Sequence, residues 1–160
     1  EVQLSKELHF VTEQPDPTSI MEEPEWKRVV AKFFRVIIAV PYHRCMCGLK
    51  VLRGPNKGLY MTKPSVMFTS APEIGRQFIG LFCNHDLTKH PHLQGIGHGR
   101  EHSDAQVWTW RESARIVTGL LELRLRMKRG YSHYDLELSF RGFDPNNVPP
   151  ARVMSPRSYT

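Results

Sequence analysis

What this sequence lacks narrows it first. No apolar run among its 160 residues approaches the ~18 that a membrane-spanning helix requires. Cysteine is scarce: there are three, Cys45, Cys47 and Cys83, an odd number. Cys45 and Cys47 are too close in sequence to pair as a structural disulfide. That usage points to an intracellular, reducing compartment rather than a disulfide scaffold. There is no N-x-S/T acceptor, and residues 1–25 contain no apolar stretch of the secretory-signal kind. No G-x-S-x-G, H-E-x-x-H or paired-carboxylate motif is present, so no reaction is written in the chain and no enzyme is expected. Gly95-Ile96-Gly97-His98-Gly99 is glycine-rich but does not open a helix after a strand, which makes it a poor phosphate cradle.

Positive charge is nearly absent from one end. Residues 1–25 hold one base, Lys6, against seven acids, a net of −6; residues 26–160 hold 21 bases against nine acids, a net of +12. The chain reads as an acidic, proline-broken extended arm (1–25), an α+β domain (26–141) and a proline-rich basic tail (142–160). The fold class expected is an antiparallel sheet with one or two packed helices. With 40% apolar and 24% charged residues, the composition is that of an ordinary globular chain.

Within the domain, Trp26–Val40 fits two templates. A helix would put Trp26, Val29, Val30, Phe33 and Ile37 on one face, whereas the β-branched and aromatic content favours a strand from about Lys32 onward, ended by Pro41. Residues 49–62 read as a hairpin turning at Gly54-Pro55-Asn56-Lys57-Gly58. Residues 70–83 read as a helix with Ser70 and Glu73 as a capping box. Residues 84–106 read as a loop. In 107–141 the alternation of Leu121, Leu123, Leu125 and Met127 with Glu122, Arg124, Arg126 and Lys128 predicts a strand. A turn at 128–133 and a second strand through Tyr134, Leu136, Leu138 and Phe140 would complete a hairpin.

Two constellations carry candidate chemistry. Five of the eight histidines fall within 85–102, and Cys83 stands two before His85. Cys45, Cys47, Cys83 and His85 would satisfy tetrahedral sulfur and nitrogen ligation of zinc, and His90-Pro91-His92 is a second chelate-like spacing. The alternative is a solvated histidine-rich loop over ordinary buried thiols, with no cofactor. The stronger signal is basic: Lys27, Arg28, Lys32 and Arg35; Arg53 and Lys57 at the hairpin turn; Arg111 and Arg115; and Arg124, Arg126, Lys128 and Arg129. Such groups hold phosphates through charge and counterion release, and Trp108, Trp110 and Tyr131 would stack bases beside them. An anionic membrane surface attracts the same cations.

Three stretches resemble the core of rhabdovirus matrix proteins. These are Phe33–Val40 behind a proline-containing arm, Gly75–Phe82 followed by a polar loop with Pro91, and Thr109-Trp110 followed by Ile116–Leu125. The resemblance implies a small α+β core that self-associates, binds the nucleocapsid and lies against the inner leaflet of a membrane. That family carries a basic arm with a Pro-Pro-x-Tyr motif; here the arm is acidic and offers Glu23-Pro24-Glu25-Trp26, so contacts with acidic partners fall to the basic body. The expectation is a non-enzymatic, self-associating assembly protein that contacts a ribonucleoprotein or an anionic membrane, located in a virion. The alternatives are an RNA-binding subunit of a large ribonucleoprotein, such as an organellar ribosome in the mitochondrial matrix, and a zinc or thiol enzyme at the 83–102 loop.

Overall fold

In the computed structural model, which describes residues 2–6, 8–84, 88, 91–93 and 105–130, the sheet is organised around a strand of small and apolar residues. That strand, β3 (Pro64–Thr69), lies between β1 (Val11–Pro15) and β2 (Ile38–His43), and both pairings are antiparallel. The registers run from Val11 opposite Thr69 to Pro15 opposite Ser65, and from Ile38 opposite Thr69 to His43 opposite Pro64. Ser65 through Thr69 are all buried, as a central strand covered on both faces requires. The architecture is α+β, an antiparallel sheet with packed helices.

Different helices cover the two sheet faces. Successive strand residues point to opposite sides. On one side Phe68 meets the Trp26 indole edge-on at 5.1 Å; Trp26 belongs to α2 (Pro24–Phe33). On the other side Met67, Val40 and Tyr42 pack with Ile74, Phe78 and Leu123 into the main core. Ile74 belongs to the short α3 (Pro72–Arg76) and Leu123 to the long α4 (Trp110–Lys128); α1 (Val2–Ser5) stands at the N-terminus. The expected hairpin is present. Lys50 bridges Tyr60, Val51 N–H donates to Leu59 O at 2.9 Å, and Leu49, Val51 and Met61 form a second small core.

Several expectations are corrected. Residues 110–128 are helix, not strand: the run is rich in Leu, Arg, Glu, Met and Lys, all good helix formers, and it opens on a complete capping box between Thr109 and Glu112. The alternation that suggested a strand puts Leu121, Leu123 and Leu125 on one face, whereas the helix buries Leu123 and exposes the other two. The strand expected from Lys32 begins only at Ile38, because Pro24 starts a helix that runs to Phe33. Pro41 lies inside β2 rather than after it; β2 is an edge strand, where a missing N–H is tolerated. The helix expected over 70–83 stops at Arg76. Ala71 is its N-cap, and the Ser70 hydroxyl instead accepts the Phe10 N–H at 3.1 Å. The strand expected through Tyr134–Phe140 and the tail at 142–160 lie outside the described residues.

The N-terminal stretch does not stand apart from the domain, since β1 forms one edge of its sheet. Thr69 Oγ1 also donates to Phe10 O at 2.7 Å, and Ser65 Oγ donates to Glu13 Oε1 at 2.6 Å. Deleting residues 1–17 is therefore expected to bare the edge of β3. A fall in Tm of roughly 10 °C should follow, because each kcal/mol shifts Tm by about 2–4 °C at this size. Thermal denaturation followed by circular dichroism checks this, and an unchanged Tm would mean that β1 contributes nothing.

Candidate functional site

The N-terminus of α4 is fastened to the end of β2 by a buried ion pair. Arg44, the residue after β2, is 1% exposed and Glu112 is 0% exposed. Arg44 Nε donates to Glu112 Oε1, and its Nη2 donates to Glu112 Oε2 at 2.7 Å. Arg44 Nη1 also donates to Ala105 O and Nη2 to Val107 O, each at 2.7 Å. Tyr42 O–H donates to Glu112 Oε1 at 3.1 Å, and Thr109 N–H to Oε2 at 2.8 Å. Burial opposes the Arg44 charge, but hydrogen bonding to Glu112 and the Glu112 charge more than restore it, so its pKa moves up. Burial, followed by the Glu112 charge, raises the Tyr42 phenol far above its ordinary value and keeps it a donor.

That fastening sets which side of α4 faces solvent. Glu112, Gly119 and Leu123 are buried. Trp110, Val117, Leu121 and Leu125 follow one another at helical spacing on the outward side; Trp110 is 83% exposed and the other three are each more than half exposed. Leu120 and Met127 continue the apolar surface, and Leu120, Leu123, Arg124, Met127 and Lys128 line a shallow hollow. Arg111, Arg124, Lys128 and Arg129 are exposed around this stripe. Both carboxylates of α4 are engaged elsewhere: Glu112 in the buried network, and Glu122 with Arg76 at 3.5 Å and Gln77 at 3.3 Å. The outward face of α4 is thus apolar and cationic.

The expected basic residues do not form one surface. Arg115 donates to Gln77 O at 2.6 Å and Arg126 to Glu73 Oε1, so both tie α4 to α3 and its following turn instead of facing a partner. Lys27, Arg28, Lys32 and Arg35 are exposed in or just after α2, on the opposite side of the sheet from α4. Lys27 pairs with Glu22 at 2.8 Å and Arg28 with Glu25 at 3.0 Å, so acids of the first 25 residues offset that group locally. Arg53 and Lys57 are exposed at the hairpin turn. Trp108 is exposed beside Trp110, and Tyr131 lies outside the described residues.

The thiols also separate. Cys45 and Cys47 sit in the 3-10 turn Arg44–Cys47 and point to different neighbours. Cys47 is fully buried in the main core with Phe78 and Leu123. Cys45 instead meets Cys83 and His92, whose Sγ and Nε2 lie 3.4 Å apart, and one ligating atom from each of the three residues falls within 4.8 Å of the others. Of the four zinc ligands read from spacing, Cys45 and Cys83 come together, Cys47 lies apart from them in the main core, and His85 lies outside the described residues; His92 completes a group of three that could hold a metal. No family model, curated protein or solved structure matches this chain. The site is read from its own geometry.

That geometry disfavours thiol catalysis at two of the cysteines. Burial, then hydrogen bonding and charge repulsion from Cys83, push the Cys45 thiol up to about 12. Burial pushes Cys47 up to about 11. Neither is a thiolate near neutral pH, which is what a nucleophile needs. His43, whose Nδ1 accepts the Cys83 N–H at 2.9 Å, has its pKa lowered by burial.

Proposed function

We propose that this chain is a non-enzymatic assembly protein that docks through the outward face of α4 on an anionic membrane surface. One observation carries the reading: a stripe of exposed aliphatic side chains, Val117, Leu121 and Leu125, is flanked by the exposed Arg111, Arg124, Lys128 and Arg129, while Glu112 is buried and Glu122 is paired with Arg76 and Gln77. Lipid accepts both halves of such a surface, since acyl chains take the aliphatic stripe and anionic headgroups meet the cations. Phosphate-rich RNA would use the cations and leave the aliphatic stripe uncovered. No helix among the described residues is long and apolar enough to cross a membrane. The matrix-like reading of the sequence agrees with this role, and self-association on the membrane belongs to it.

A second reading rests on Trp108 and Trp110, exposed beside Arg111, which suit base stacking in an RNA-binding subunit. Vesicle co-sedimentation separates the two. The chain should pellet with phosphatidylserine-containing vesicles and not with pure phosphatidylcholine. Replacing Arg124 and Lys128 with alanine together should withdraw about 2 kcal/mol, roughly a 30-fold loss of partitioning. Leu121→Glu with Leu125→Glu should abolish binding at all salt concentrations. Equal binding to neutral and anionic vesicles, or intact binding by these variants, would sink the membrane reading. RNA binding with a steep salt slope and no vesicle binding would establish the second reading instead.

A further inference from the structure

We propose that Cys45, Cys83 and His92 are three ligands of a structural zinc ion that clamps the segment carrying His92 onto the end of the sheet. The ligands come from three separate segments: the turn after β2, the chain after α3, and the segment that carries His92. The backbone already holds each of them. Gly48 N–H donates to Cys45 O at 2.9 Å and closes the turn that carries the first ligand. His43 N–H donates to Leu81 O at 2.8 Å, and Cys83 N–H returns a bond to the His43 ring, which fixes the second. Tyr60 N–H donates to Pro91 O at 2.9 Å and Leu93 N–H to Tyr60 O at 2.8 Å, pinning His92 against the hairpin from both sides.

The spacing fits the ion. In a tetrahedral site with the usual Zn–S and Zn–N lengths, sulfur and nitrogen stand roughly 3.5 Å apart. The Cys83 Sγ to His92 Nε2 separation is 3.4 Å. Two sulfurs and an imidazole nitrogen suit zinc better than magnesium or calcium, which prefer oxygen. Binding replaces the two thiol protons, so each zinc taken up releases two protons to solvent and leaves two thiolates on the metal. The fourth position falls to a ligand from outside the trio.

The test uses the full chain, stripped of metal under a non-thiol reductant and titrated with zinc alone and with cobalt(II) alone. Wild type should take up one zinc per chain with release of two protons, gain thermal stability, and show thiolate-to-cobalt charge-transfer absorption. Cys83→Ser and His92→Ala should each lose the tight site. Cys47→Ala removes a buried thiol that is not a ligand and should keep it. Wild type that binds no zinc, or cobalt without the charge-transfer band, would overturn the proposal whatever the variants do. So would a Cys83→Ser chain that retains zinc while Cys47→Ala loses it. A Cys45–Cys83 disulfide that forms equally fast with and without zinc would overturn it as well.

Discussion

Replacing Glu112 with alanine is expected to cost about 3–5 kcal/mol, a large fraction of the roughly 5–15 kcal/mol by which native domains are stable. The carboxylate is fully buried and accepts from Arg44, from the Tyr42 hydroxyl and from the Thr109 amide. Removing it leaves the Arg44 guanidinium buried, with only the Ala105 and Val107 carbonyls as neutral acceptors. It also deletes half of the capping box that starts α4. The loss is the price of an uncompensated charge rather than the worth of the pair. Arg44→Met with Glu112→Leu should therefore recover much of the stability that either single change loses. Urea denaturation of wild type, Arg44→Met, Glu112→Leu and the double variant closes a cycle. Additive losses would show that the two residues do not act as a unit. Glu112→Gln should fall between wild type and alanine, because it keeps a hydrogen-bonding group and drops the charge.

Much of this network was visible in the chain as letters but not as chemistry. Thr109-x-x-Glu112 is a capping-box pattern, and it marks the start of the longest helix. The two-residue alternation from Leu121 onward concealed it, because a leucine-rich basic run fits both periods. Only tertiary contact decides which leucine is inside: Leu123 is buried because it meets α3 and the sheet. The hairpin at 49–62 was legible because glycines at positive φ, Gly54 and Gly58, mark its turn chemically. The half-buried face of α2, with Trp26, Val29, Val30 and Phe33, matches the helical one of the two templates that Trp26–Val40 fits, while nothing in the run marks where that helix ends. β3 is not legible in the sequence, because a central strand buried on both faces shows no alternation. Of the candidate metal ligands, Cys45 and Cys83 are legible from residue type and spacing. Which partners they meet depends on how a 3-10 turn orients two cysteines two positions apart and on where Tyr60 holds His92, and spacing encodes neither.

The second large effect is expected at Gly119. A methyl group there would lie 2.6 Å from Ile74 Cα, 2.8 Å from Ile74 N and 2.9 Å from Glu73 O. All three atoms are α3 backbone, so no rotamer change relieves the clash. Nor can α3 retreat, since Ile74 is in the main core and a methyl added at Gly75 would already touch Val40, Thr69 and Ile38 of the sheet. Alanine gains about 1 kcal/mol of helix propensity over glycine in mid-helix. Overpacking of a rigid contact costs about 1–3 kcal/mol and occasionally more. With backbone on both sides, the second effect should win, and Gly119→Ala should lower stability by about 1–2 kcal/mol. Gly119→Val, bulkier and β-branched, should lose more and displace α4, taking the Arg126–Glu73 bond with it. Gly75→Ala provides the contrast. Its added methyl would meet only side-chain carbons, the nearest at 3.4 Å, so a small adjustment accommodates it and the change in stability should stay below about 1 kcal/mol. Denaturant midpoints of the three variants decide this, and equal losses at Gly119 and Gly75 would mean that α4 does not depend on close approach to α3. Because α4 carries the proposed membrane face, Gly119→Val should also weaken vesicle binding. Zinc uptake at Cys45, Cys83 and His92, none of which touches Gly119, should persist wherever the chain remains folded.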